Sequence, residues 1–156
     1  MKKNRTLSTE LLLPKEVEIH YKRPLFELMT HIKSAEDAHS VLRSYINSNK
    51  MDLKEYFWVL LLTNANRLLG VSEVAVGTST GVLINTKEIF QLALKTNASA
   101  IIVAHNHPSG KLQISQSDKQ QTKRLQELAK IMEVNLLDHL ILTSEDFLSF
   151  TGEGEL

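Results

Sequence analysis

The sequence predicts an α/β fold with a mixed, partly antiparallel sheet and helices on both faces. Three observations predict it. Short apolar runs rich in β-branched and aromatic residues occur at residues 56–62 and 100–104, as expected of strands covered on both sides. Stretches with apolar residues at helical spacing alternate with these runs, which is the pattern of a layered α/β domain. Thr63-Asn64-Ala65-Asn66 separates two strand-like runs by a tight turn, so at least one pair is an antiparallel hairpin.

Each element has its own justification. Residues 1–33 are the least patterned and read as a lead-in or arm, with Pro14, Pro24 and a short alternation (Val17, Ile19, Tyr21) that suits an edge strand. The main domain is expected over residues 34–156. Ser34 with Asp37 three residues on is an N-cap, and Ala38, Val41, Leu42, Tyr45 and Ile46 trace one helical face. Residues 56–62 form the first buried strand, and residues 68–76 return alongside it. Thr86 suits the cap of a second helix burying Ile89, Phe90, Ala93 and Leu94. After the strand at 100–104, a helix over 116–132 turns Leu125, Leu128, Ala129 and Met132 inward. Residues 136–142 form a further strand, with the tail at Phe147 and Phe150 pairing back on it.

Composition narrows the chemistry. Eighteen Lys and Arg balance 18 Asp and Glu, so no whole-protein field attracts nucleic acid or an anionic membrane. The absence of cysteine removes disulfides, thiol catalysis and every thiolate zinc site. Any metal must be held by His, Asp, Glu or water. The longest apolar run, residues 56–62, is far shorter than the ~20 residues of a membrane helix. Without an apolar leader near the N-terminus, the expected compartment is the cytoplasm.

The informative stretch is His105-Asn106-His107-Pro108-Ser109-Gly110, followed by Ser115 and Asp118. It begins where a buried strand ends, the usual place for functional residues in α/β sheets. In extended backbone, His105 and His107 point to one face about 6.7 Å apart at their Cα atoms, close enough to converge on one ion. Asp118 falls in the first turn of the next helix, where it suits two duties. It can fold back beneath the histidines as a third ligand, leaving an open catalytic-type position, or it can act only as a helix cap with Ser115. Other His-x-His enzymes fit poorly. An amidohydrolase barrel needs ~250 residues, the metallo-β-lactamase pattern fails at Ser109 and Gly110, and zinc deaminases need a Cys-x-x-Cys. HNH nucleases disperse their three residues rather than placing them side by side.

His-x-His-Pro, six residues, then Ser-x-x-Asp, met here by His105, His107, Pro108, Ser115 and Asp118, resembles the signature of JAMM (MPN-domain) metalloproteases. The resemblance is closest to the RadC family. It is carried by residues 98–110 (ASAIIVAHNHPSG), by Glu73-x-x-x-Gly77-Thr78, by Lys87-Glu88-Ile89-Phe90 and by Leu137-Asp138-His139, over about residues 34–154. Two loops depart from it. Residues 109–115 read Ser-Gly-Lys-Leu-Gln-Ile-Ser where relatives have Ser-Gly-Asp-Pro-x-Pro-Ser, and residues 85–88 read Asn-Thr-Lys-Glu where relatives have His-Pro-Arg-Glu. Neither removes a ligand, but Lys111 replaces an acid near the metal. Longer relatives carry an N-terminal helix-hairpin-helix-like region, for which the lead-in has no room, so a short JAB domain with a brief arm is expected.

The resemblance implies a three-layer JAMM/MPN architecture similar to that of cytidine deaminases, and a Zn²⁺ ion held by His105, His107 and Asp118. It further implies hydrolysis of a peptide or isopeptide-like amide, with a protein or peptide as partner. Ser115 would donate to the oxyanion, and an upstream glutamate would act as base. Glu55, at the entry to the first strand, is favoured for that role over Glu73 on the return strand. The family's DNA-repair label and a non-catalytic metal-binding interaction module are the alternative functions; neutral charge disfavours direct nucleic-acid binding. His20, His31 and His39 fall outside the motif and read as surface or packing residues, and His139, in the family-like stretch, as core packing with a supporting role as the alternative. The basic face of Lys119, Lys123, Arg124 and Lys130 reads as solvated.

Overall fold

A computed structural model describes residues 17–79 and 81–156; the part of the lead-in at 1–16 lies outside the described residues. The elements run α1 (Ala35–Tyr45), β1 (Tyr56–Leu62), β2 (Leu68–Val76), α2 (Thr86–Lys95), β3 (Ala100–Asn106), α3 (Gln116–Ile131), β4 (Asn135–Leu142) and β5 (Phe147–Ser149). Five strands form one sheet in the order β2-β1-β3-β4-β5. The β3–β4 pair is parallel and the other three are antiparallel, so the sheet is mixed as expected.

The apolar run of β1 explains the layering. Phe57, Val59 and Leu61 point to one face, where they meet Ile89, Phe90 and Ala93 of α2 and Leu125 and Ala129 of α3. Trp58, Leu60 and Leu62 point to the other, against Ala38 and Leu42 of α1. A strand covered on both sides has no solvent face to mark with polar residues, hence the unbroken hydrophobicity. The result is the α/β/α arrangement of the JAB/MPN fold. Among the described residues no helix is long and apolar enough to cross a membrane.

Local expectations hold in most places and fail in instructive ones. Ser34 caps α1, its Oγ accepting from Asp37 N at 3.3 Å. The cap position of α2 is Asn85 rather than Thr86, and no side chain bonds the helix end there. Val17, Ile19 and Tyr21 form no strand: Val17 and Ile19 are exposed, and the Tyr21 hydroxyl donates to Leu69 O at 3.0 Å. Tyr45, Leu94 and Met132, assigned to inward faces, are exposed; each lies in the last turn of its helix or at its C-cap.

Candidate metal centre

The site is built where β3 ends and α3 begins. The register that pairs Phe57 with His105 carries the alternation of β3 forward, so His105 lies on the same face as Val103 and is buried beneath α3. His107 follows at the strand end, held by its backbone N–H to Leu142 O at 2.9 Å. A tight turn comes next: Gly110 N donates to His107 O at 3.0 Å, and the positive φ of Gly110 (75°) suits glycine there. The turn brings Lys111 O to 2.9 Å from His107 Nδ1. A carbonyl only accepts, so Nδ1 carries a proton and Nε2 is the ring atom turned toward the cluster.

Asp118 fulfils both duties that its position allowed. It completes a capping box, with Ser115 Oγ accepting from Asp118 N at 3.1 Å and Ser115 N donating to Asp118 Oδ2 at 2.8 Å. The same carboxylate faces the histidines, Oδ1 standing 3.2 Å from His105 Nε2 and Oδ2 3.7 Å from His107 Nε2. The two Nε2 atoms are 3.0 Å apart. Burial favours the neutral Asp118 acid, but hydrogen bonding and charge from His105, with two hydrogen bonds from Ser115, outweigh it. The carboxyl is held well below its usual range.

Acceptor-type atoms this close together need a cation between them, either a proton or a metal ion. The 3.0 Å between the two Nε2 atoms is near the ~3.3 Å edge that bonds of ~2.0–2.1 Å at the tetrahedral angle give, one atom from each of the three residues lies within 4.8 Å of the others, and two imidazoles with one carboxylate are a zinc-compatible set. The residues therefore fit Zn²⁺.

Around this cluster lies a cavity of about 550 Å³, which Glu55, Ser115 and Lys111 also line. Glu55 enters it from the segment before β1. Asn106 clamps that segment on both sides of Glu55: its Oδ1 accepts from Tyr56 N at 2.7 Å, and its Nδ2 donates to Lys54 O at 2.8 Å and Met51 O at 2.7 Å. Burial raises the Glu55 pKa and Asp118 adds to the rise, while His105 and His107 oppose it. Glu73 lies elsewhere. Its Oε2 takes Lys50 Nζ at 2.8 Å and the Trp58 indole N–H at 3.3 Å, on the α1 face of the sheet. The structure thus brings Glu55, His105, His107, Ser115 and Asp118 to one cavity and leaves Glu73 outside it.

A family model described as RadC-like JAB domain matches residues 32–155. The chain belongs to that family. Similar proteins include a UPF0758 protein of Flavobacterium johnsoniae, 37% identical over 123 residues (79% of this chain, 52% of the relative). A second, from Chlorobaculum parvum, is 40% identical over 125 residues (80% and 55%). A third, from Haemophilus ducreyi, is 36% identical over 132 residues (85% and 59%). The chain spans about half the length of the curated relatives it matches.

Two further residues belong to the site's surroundings in this RadC-like JAB domain. Asn106, between the two histidines, faces the opposite side of the sheet and anchors the Glu55 segment. His139, read as core packing ahead of a supporting role, lies with its Nε2 2.8 Å from His105 Nδ1. The neighbouring family-like stretch Leu137-Asp138-His139 was its one sequence signal.

Proposed function

We propose that this protein is a zinc-dependent hydrolase of the JAMM type that cleaves a peptide or isopeptide-like amide. The observation that carries the reading is the single cavity in which the His105, His107 and Asp118 acceptors converge opposite Glu55. Bound zinc would supply Lewis-acid polarisation of the scissile carbonyl and a water acidified toward pKa ~7.

The protein's own groups supply the rest. Glu55, desolvated and facing the cluster, accepts the proton of the attacking water and returns it to the leaving amine. Ser115 stands on the cavity wall, its hydroxyl donating to Asp118 Oδ2 at 2.5 Å. To serve an oxyanion it must turn that donor from the carboxylate toward the substrate. Lys111 is the one Lys or Arg among the described residues lining the cavity, and it favours amides that carry a nearby acidic group.

The test is metal content together with turnover on a peptide panel. Purified protein is expected to hold one zinc per chain and to lose it in His107→Ala. Glu55→Gln is expected to retain zinc while turnover falls about 10²–10⁴-fold, and Glu73→Gln to hydrolyse at the wild-type rate. A wild-type chain without stoichiometric zinc, or full activity in Glu55→Gln, refutes the reading.

A further inference from the structure

His139 stands directly behind His105, and none of the chemistry above uses it. Its ring is fully buried, stacked on Phe150 with centroids 4.6 Å apart and edge-on to Phe57 at 5.6 Å. An apolar ring would satisfy that packing. Burying an imidazole instead exposes two polar atoms to a dry interior, which is costly unless both are bonded. Both are: Nε2 meets His105 Nδ1 at 2.8 Å, and Nδ1 meets Thr122 Oγ1 at 2.6 Å.

The direction of each bond follows from its neighbours. Thr122 has one hydroxyl proton, and it donates to the backbone carbonyl of Asp118 at 2.7 Å, which only accepts. Thr122 Oγ1 must therefore accept from His139 Nδ1–H. No carboxylate bonds the His139 ring to offset a positive charge, so the ring is neutral and its Nε2 is an acceptor. His105 Nδ1 is then the donor. That proton sits on the side away from the cluster, which leaves Nε2 facing Asp118 and His107 to carry the cluster's proton or to bind a metal ion. A chain of three hydrogen bonds thus leads from the backbone of Asp118 through Thr122 and His139 to His105.

We propose that His139 is a positioning residue for the metal centre: it selects the Nδ1–H form of His105, aims the Nε2 donor into the cluster and, through Thr122, couples that ligand to the backbone of Asp118. The consequence for metal rests on the zinc-site reading above, whereas the proton placement does not. Ligating histidines ordinarily give their second N–H to a carboxylate, a carbonyl or water. A neutral imidazole in that place orients the ring while adding no negative charge behind it.

Two measurements test this. Long-range ¹⁵N–¹H correlation spectra of metal-free and zinc-loaded protein are expected to show His139 protonated at Nδ1 and bare at Nε2 in both forms. A proton on Nε2 of His139 overturns the assignment. In competition with a chromophoric chelator, His139→Phe, which keeps ring volume, is expected to weaken zinc binding about 10–100-fold. Thr122→Val should weaken it in the same direction, and His139→Gln, whose Oε1 can accept from His105, should recover part of the loss. Zinc affinity unchanged in a folded His139→Phe overturns the proposal; should that variant fail to fold, Thr122→Val and the spectra decide. If wild-type protein binds no zinc, the hydrolase reading fails while the proton placement on His139 is still decided by the spectra.

Discussion

Asp118 occupies the third position of α3 and a corner of the acceptor cluster at the same time, and its partner Ser115 inherits both duties. Ser115→Ala therefore separates two effects in one variant. Loss of the cap is expected to lower stability by about 1 kcal/mol in urea unfolding. Loss of an oxyanion donor would lower turnover by about 10²–10³-fold. A stability loss without a rate loss would leave Ser115 a cap alone. The cluster itself was legible in the sequence because its three members lie within fourteen residues, where strand period and helix start dictate direction. His139 was not, because its contact with His105 comes from the parallel register that sets Val103 beside His139, and no local spacing encodes that. Asn106 was hidden for a different reason. Its three bonds reach back across about fifty residues to the segment around Glu55.

At the scale of elements, periodicity reported which residues share a face but not whether a partner exists for it. The five strands were visible because β1 and the first five residues of β3 are apolar and the others return to them by turn or helix. The alternation at 17–21 carried the same local signal, yet it joins the sheet through the Tyr21 hydroxyl's bond to Leu69 O and not through a ladder. The docking of α1 leads to a pH prediction. Arg43 anchors this helix to the turn between β4 and β5 through Thr143 O at 2.7 Å and Ser144 O at 2.9 Å. Its Nε also donates to His39 Nε2 at 3.0 Å, and the His39 ring stacks on Phe147 at 4.3 Å. Burial and then the Arg43 charge lower the His39 pKa from 6.5, with Asp146 opposing. The unfolded chain therefore takes up this proton first, and the folded state loses stability as pH drops below about 6.5. Urea midpoints should fall between pH 7 and 5 in the wild type, and His39→Phe should show a smaller fall. An equal fall in both would assign the acid sensitivity to other groups.

Across the whole molecule, the balanced charge supplies no long-range attraction, so what the site gains must come from local convergence. His105 belongs to the central strand β3 and His107 follows directly at its end, while Asp118 belongs to α3, which covers the sheet; the candidate ligand set therefore spans a packing interface rather than a single element. An ion bound there cross-links two layers and binds the folded chain in preference to the unfolded one. Linkage then gives about 2.7 kcal/mol of stabilisation at free zinc a hundred times the dissociation constant. For a domain of this size that is roughly 5–11 °C in Tm. Chelation by EDTA should remove the shift and added zinc restore it, as followed by calorimetry. Asp118→Asn should abolish the response, because it removes the anionic ligand while an amide can still accept from Ser115 N. A zinc-dependent shift that survives in Asp118→Asn would place the ion elsewhere, and no shift in the wild type would remove the metal centre from the fold's energetics.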